Sequence, residues 1–254
     1  MRKIAIELWS SAKDLFPTYR DLRMVLGLVA LATIVSISEL LLARLFSSLI
    51  LPSEPRETSE IIVLSAVFLG VFALLRLVNF GREYYRLNVF EKALTDDDTN
   101  RFSNSWRWAT AMELTSLLTM IGRFVFISAL LFYFSVPFGI CNLVLSFILF
   151  QIFQVQMKRQ YVEQRKLRKL QLQKQTVTNA EKVRTRILAG EWISLFSAFG
   201  MLLLFGTLIL FSARDYIDPT IAFTLFIALR MLGQVYSGFS SGLMRYVRAR
   251  VYSE

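Results

Sequence analysis

Residues 24–50 read MVLGLVALATIVSISELLLARLFSSLI, and this apolar stretch decides the fold. Only two of its side chains are charged, Glu39 and Arg44. The hydrocarbon core of a bilayer is about 30 Å thick, and about 20 helical residues cross it. The stretch is therefore predicted to be a membrane-spanning helix. It is too long for a cleaved signal peptide, and no A-x-A site follows it.

Five further stretches of the same kind follow along the chain, at residues 60–80, 117–134, 138–156, 190–212 and 219–241. Hydrophobic residues make up 55% of the 254 positions and mean hydropathy is +0.49, which is more apolar than an ordinary soluble domain. The stretches are unbroken and do not alternate with a period of two, which excludes a β-barrel of short strands. The sequence predicts an all-α polytopic membrane protein with six transmembrane helices.

The distribution of Lys and Arg predicts the orientation of these helices. Of the residues outside the apolar stretches, 23 basic side chains fall on the side of the N-terminus and only Arg56 and Arg214 fall on the other. Because basic residues stay on the cytoplasmic side, both termini are predicted to be cytoplasmic, in a bacterial inner membrane. The net charge of +10 reflects this bias and favours contact with anionic lipids. No nucleic-acid recognition motif accompanies the charge, so nucleic acid is not an expected partner.

The residue types needed for catalysis and metal binding are scarce. Cys141 is the single cysteine and the chain contains no histidine. A disulfide framework and a thiol metal site are therefore not expected, and the commonest acid–base group is missing. We expect no enzymatic activity, no metal and no cofactor in this chain itself.

Residues 1–16 form an amphipathic segment ahead of the six-helix transmembrane domain, which is assigned to residues 17–254. Its apolar side chains fall on one side of a helix: Ile4, Leu8, Trp9, Ala12 and Leu15. This pattern predicts a helix lying along the inner membrane surface. A short disordered tail is the alternative interpretation.

Both long loops on the basic side are predicted to be helical extensions of the membrane helices. GREYYRLNVFEKAL (81–94) and MKRQYVEQRKLRKLQLQKQ (157–175) are rich in helix formers and contain no proline. The first extension breaks at residues that favour caps and turns, Asp96, Asp97 and Asp98. The second breaks near Thr178 and Asn179, where Thr178-x-x-Glu181 has the spacing of a capping box. These residues are either helix caps only or, in addition, a docking site for a partner.

Three stretches carry a resemblance to a known family. FPTYR (16–20) with SELLL (38–42), LFYFSVP (131–137) with the basic stretch after it, and IDPTIAFTLFIALRML (217–232) are similar to parts of the six-helix transmembrane domain of ABC exporters. The resemblance implies an interfacial elbow helix at the N-terminus, a dimer that exchanges one helix pair between protomers, and coupling to a cytoplasmic ATPase.

The chain departs from that family in two respects. It contains no G-x-x-x-x-G-K-[ST] motif, so the phosphate cradle of an ATPase is expected on a partner subunit. The extensions are also shorter than those of the family, because about 14 helical residues project only about 20 Å. Any ATP and magnesium would then be bound by the partner and not by this chain.

Two ionisable residues are predicted to lie near the middle of the membrane, Glu39 in the first helix and Arg230 in the sixth. A charge at that depth costs about 2.5–3.5 kcal/mol on insertion scales and usually faces a partner or water. The first and sixth helices line the central region in the family that the chain resembles. We therefore expect Glu39 and Arg230 to pair or to line a polar cavity together; a purely structural ion pair is the alternative. Arg44, Arg76 and Arg123 lie nearer helix ends and are assigned no function.

Two functions fit these observations. The first is the membrane-spanning subunit of an ABC-type exporter, a homo- or heterodimer served by separate ATPase subunits. The Phe-rich wall favours amphipathic or lipid-like substrates over sugars. The alternative is a relative of that family that has lost ATP coupling and acts as a structural, assembly or regulatory subunit of a membrane complex. A gradient-driven carrier or a channel fits less well, because no helix shows a mid-membrane proline or a repeated polar face.

Overall fold

The protein folds into seven α-helices and, within the described residues, contains no β-strand. A computed structural model describes residues 2–16, 18–50, 58–94, 101–173, 179–214, 216–217 and 219–253. The helices are α1 (Arg2–Leu15), α2 (Tyr19–Ile50), α3 (Thr58–Leu94), α4 (Arg101–Phe134), α5 (Val136–Leu172), α6 (Asn179–Ala213) and α7 (Pro219–Ser253).

Six of these helices, α2 to α7, are long and apolar enough to cross a membrane. The prediction of an all-α polytopic bundle is therefore confirmed. Each helix is longer than the apolar stretch that predicted it, mainly because polar helix formers continue the helix at the end that bears most of the basic residues. The turn between α4 and α5 is the shortest, with Ser135 as its single residue. The Ser135 amide donates to the carbonyl of Leu131 and the Gly139 amide donates to the carbonyl of Ser135, so hydrogen bonding continues across the turn.

The interior of the bundle lies between α4, α5 and α7 and is filled by aromatic rings. The rings belong to Phe124, Phe150, Phe153, Tyr236 and Phe239. Phe150 meets Phe124 edge-on at 5.1 Å and Phe239 at 5.5 Å, while Phe153 stacks on Phe239 at 5.8 Å. Such pairs add about 0.5–1.5 kcal/mol beyond the area they bury. Helices in lipid gain little from the hydrophobic effect, so this close packing holds α5 on α7.

Polar contacts continue the α5–α7 pairing along the length of both helices. The hydroxyls of Ser146 and Tyr236 are 2.6 Å apart in the membrane-spanning region. Near the ends of the same helices, the guanidinium of Arg168 donates to the carbonyl of Val251. Within the chain, α5 therefore contacts α7 both in the membrane-spanning region and near the helix ends. The exchange of a helix pair between protomers, which the family resemblance implied, stays a prediction.

Helix α1 was predicted to lie along the membrane surface, and in the structure it also packs against the bundle. Leu8 and Ala12 are fully buried and join the main core, whereas Trp9 is 42% exposed. The hydroxyl of Ser11 accepts hydrogen bonds from Tyr246 and Arg250 of α7, each at 2.6 Å. The apolar side of α1 is therefore divided: part packs on the bundle, and Trp9 is left free to face lipid.

Candidate functional site

An open cleft of about 450 Å³ lies between α2, α3 and α7, and we call it the apolar cleft. Most of its wall is aliphatic and aromatic, and the rings of Phe46 and Phe68 meet across it at 5.8 Å. Its polar groups are Glu39, Arg76 and Asn79. The cleft exists because α3 packs mainly on α2 and leaves most of its own surface exposed.

The structure places Glu39 in this cleft but does not pair it with Arg230. Both side chains are exposed, no ion pair joins them among the described residues, and Arg230 does not line the apolar cleft. The helical phase of α7 explains the difference. Its buried face carries Leu225, Leu229 and Leu232, so the side chain of Arg230 leaves the helix on a different side. Among the described residues, Glu39 therefore lines a cavity without Arg230, and no Glu39–Arg230 ion pair is present.

The residue that interacts electrostatically with Glu39 is Arg123 of α4, which is attracted by Glu39 and repelled by Arg82. The backbones of α2 and α4 approach closely beside this pair. A Cβ atom placed on Gly122 would come within 2.5 Å of the hydroxyl of Thr33, so only glycine fits there without a shift. This close approach brings the long side chain of Arg123 to the surface shared by α2, α3 and α4.

A second cavity, of about 120 Å³, lies between α2, α3 and α4, and we call it the arginine pocket. Its charged residues are Arg82, Glu83 and Arg86 of α3 and Arg123 of α4. Glu83 forms ion pairs with both α3 arginines, at 2.8 Å to Arg82 and 2.7 Å to Arg86. The pocket wall also carries the hydroxyls of Thr115, Ser116 and Thr119.

Neither Arg76 nor Arg123 was assigned a function from the sequence, although a signal for both was present. On α3, the polar residues Arg76, Asn79, Arg82 and Arg86 recur every three or four positions. On α4, Thr115, Thr119 and Arg123 recur every four. Residues three or four apart share one face of a helix, so each pattern predicts a polar stripe. The interpretation that no helix shows a repeated polar face is therefore wrong for α3 and α4. In the structure, Arg82 and Arg86 lie with the α4 stripe around the arginine pocket, whereas Arg76 and Asn79 line the apolar cleft.

The predicted docking residues fall mostly outside the part of the chain that the structure describes. Asp96, Asp97, Asp98 and Thr178 are in that category, and Asn179 is the first residue of α6. Among the described side chains, no group of three or more His, Cys, Asp and Glu residues could hold a metal ion.

Comparison with known proteins identified no relative of this chain. No protein-family model matches the chain, and no curated protein matches it. Function must therefore be inferred from the apolar cleft, the arginine pocket and the helical extensions.

Proposed function

We propose that this chain is the membrane-spanning subunit of an ABC-exporter-type transporter that works as a dimer with ATPase subunits made as separate chains. The observation that carries the proposal is the continuity of the helices at one end of the bundle. Helices α3 and α5 each have 37 residues, whereas a crossing needs about 20. The residues beyond the apolar stretches, 81–94 in α3 and 157–172 in α5, give each extension a reach of roughly 20–25 Å. Two stiff helical arms on one side of a membrane suit the docking of a cytoplasmic partner.

The charge distribution and the apolar cleft support the same proposal. The extensions lie on the side that carries most of the Lys and Arg residues, which supports a cytoplasmic position for them, and in a bacterium one beneath the inner membrane. The cleft offers a largely apolar wall with one carboxylate, Glu39, and one guanidinium, Arg76. That combination suits amphipathic or lipid-like substrates. The contacts between α5 and α7 within the chain support a dimer in which each protomer contributes a complete six-helix bundle.

Purification from native membranes tests the ATPase partner. We expect an ATPase chain to co-purify with the wild-type protein and to be lost, by tenfold or so, when Asp96, Asp97 and Asp98 are all replaced by alanine. Glu60→Ala, an exposed acidic residue at the opposite end of α3, serves as the matched control and is expected to retain the partner. Quantitative mass spectrometry of the purified complex measures the ratio.

Repeated purification without an ATPase would contradict the proposal and favour the second candidate, a membrane-complex subunit without ATP coupling. One structural observation favours that candidate. The aromatic cluster that includes Phe150, Phe153 and Phe239 fills the space between α4, α5 and α7, so no open path runs through this part of the protomer. Recovery of a large partner that is not an ATPase would support it.

A further inference from the structure

The charges of the arginine pocket do not balance. Three guanidinium groups face one carboxylate, and Glu83 is shared between Arg82 and Arg86. Arg123 makes no hydrogen bond or ion pair to any side chain of the described helices, although Glu39 attracts it at longer range. Uncompensated charge at the edge of a bilayer is costly, so an excess of two positive charges indicates a site for a negatively charged group.

The hydrogen-bond donors of the pocket that lack an acceptor indicate which kind of negatively charged group would bind. The Nε atoms of Arg86 and Arg123 are buried and have no acceptor. The hydroxyls of Thr115 and Thr119 already donate to backbone carbonyls of α4, at 2.8 and 2.9 Å. The guanidinium groups are therefore the main free donors of the pocket, and they require a ligand that is rich in acceptors. Guanidinium forks bind phosphate oxygens in pairs, with charge-assisted hydrogen bonds.

The position of the pocket matches the depth of lipid headgroups. Arg82 and Arg86 follow directly after the apolar stretch of α3, at the end of the bundle that bears the extensions. Arg123 lies inside the apolar stretch of α4, but helical side chains lean toward the N-terminus of their helix, which for α4 is the same end. A long Arg side chain thereby brings its charge to the interface. Basic pockets between transmembrane helices at this depth bind anionic headgroups.

We propose that the arginine pocket binds a phosphate group, either that of an anionic phospholipid or that of a free phosphate compound. The volume of about 120 Å³ is ample for a small tetrahedral anion, since one buried water needs only about 10–15 Å³. The phosphate oxygens accept from Arg123 on one side and from Arg82 and Arg86 on the other. The bound anion thus links α3, which is otherwise attached mainly through α2, to α4. The proposal does not depend on an ATPase partner.

Native mass spectrometry of the full chain tests this site with dioleoylphosphatidylglycerol as the anionic lipid and dioleoylphosphatidylcholine as the neutral one. The wild-type protein is expected to prefer the anionic lipid by about tenfold or more, because hydrogen bonds to charged groups are strong. Arg123→Gln is expected to lose most of that preference. Arg159→Gln, an exposed arginine on α5 outside the three pocket helices, is expected to keep it.

Titration with inorganic phosphate separates the two sources of the ligand. Displacement of the bound lipid by phosphate would support a lipid site that recognises the phosphate itself. Phosphate binding by the wild-type protein without preference for the anionic lipid would support a site for a free phosphate compound. Equal retention of both lipids together with no phosphate binding would overturn the proposal. An undiminished preference in a folded Arg123→Gln variant would also overturn it, and the wild-type measurements decide if that variant does not fold.

Discussion

Replacement of Phe153 by alanine is expected to lower the free energy of unfolding by about 3–5 kcal/mol, the usual cost of removing a buried phenyl ring. The side chain is fully buried, contacts Phe150 at 5.7 Å and stacks on Phe239 of α7. No neighbouring group in a close-packed aromatic cluster can move far enough to fill the space. The loss should therefore appear as weaker attachment of α5 to α7.

Phe147→Ala provides the matched control on the same helix. Phe147 is 57% exposed on the outer surface of α5, where lipid replaces the lost contacts. Its replacement is expected to change stability by no more than about 0.5 kcal/mol. Unfolding of both variants with SDS in mixed micelles, followed by circular dichroism, measures the difference. Similar losses for the two variants would show that the aromatic cluster is not the centre of the bundle.

Gly139→Ala is the second substitution for which we expect a large loss, of about 1–3 kcal/mol from overpacking. Gly139 lies in the first turn of α5, directly after the one-residue turn from α4. A Cβ atom there would approach the ring of Phe132 to 2.6 Å and the Cα atom of Phe132 to 2.9 Å. Because one of these neighbours is backbone, rotation of a side chain cannot relieve the overlap. The α4–α5 turn itself must shift.

Gly70→Ala is the control for this substitution and should have the opposite sign. No atom lies within 4 Å of the position that a Cβ on Gly70 would occupy in the middle of α3. Alanine is favoured over glycine in a helix by up to about 1 kcal/mol, so the variant is expected to be slightly stabilised. Thermal unfolding in detergent compares the two variants. A Gly139→Ala protein as stable as the Gly70→Ala protein would contradict the tight turn.

The number of helices and their extensions could be predicted from the sequence, because they depend on length and composition. An apolar stretch of about 20 residues is enough to identify a crossing. The helix formers of 81–94 and the absence of proline there are enough to continue α3 beyond it. The helical course of α1 followed in the same way from the periodicity of its apolar residues.

Which face of each helix packs into the bundle could not be predicted as well from the sequence. In lipid, apolar side chains are favourable both on the outer surface and in the interior, so hydropathy does not show which face packs inward. Glu39 and Arg230 were paired by their depth and by the central position of their helices in the family that the chain resembles, whereas rotation about the helix axes separates them. The polar stripes of α3 and α4 carried the missing information, because a stripe of Thr and Arg has one favourable direction in a membrane helix.

Cross-linking tests most directly whether the chain forms a complete bundle in which α5 packs on its own α7. In a Cys141→Ser background, cysteines at Arg168 and Val251 can be joined by a short bismaleimide, since these residues are in direct contact. The chain that carries both cysteines is cross-linked in one experiment. In a parallel experiment, two differently tagged chains, each with only one of the two cysteines, are co-expressed and cross-linked. We predict efficient cross-linking within the doubly substituted chain and none between the singly substituted ones. Efficient cross-linking between the two tagged chains would show that the helices are exchanged and would contradict the account.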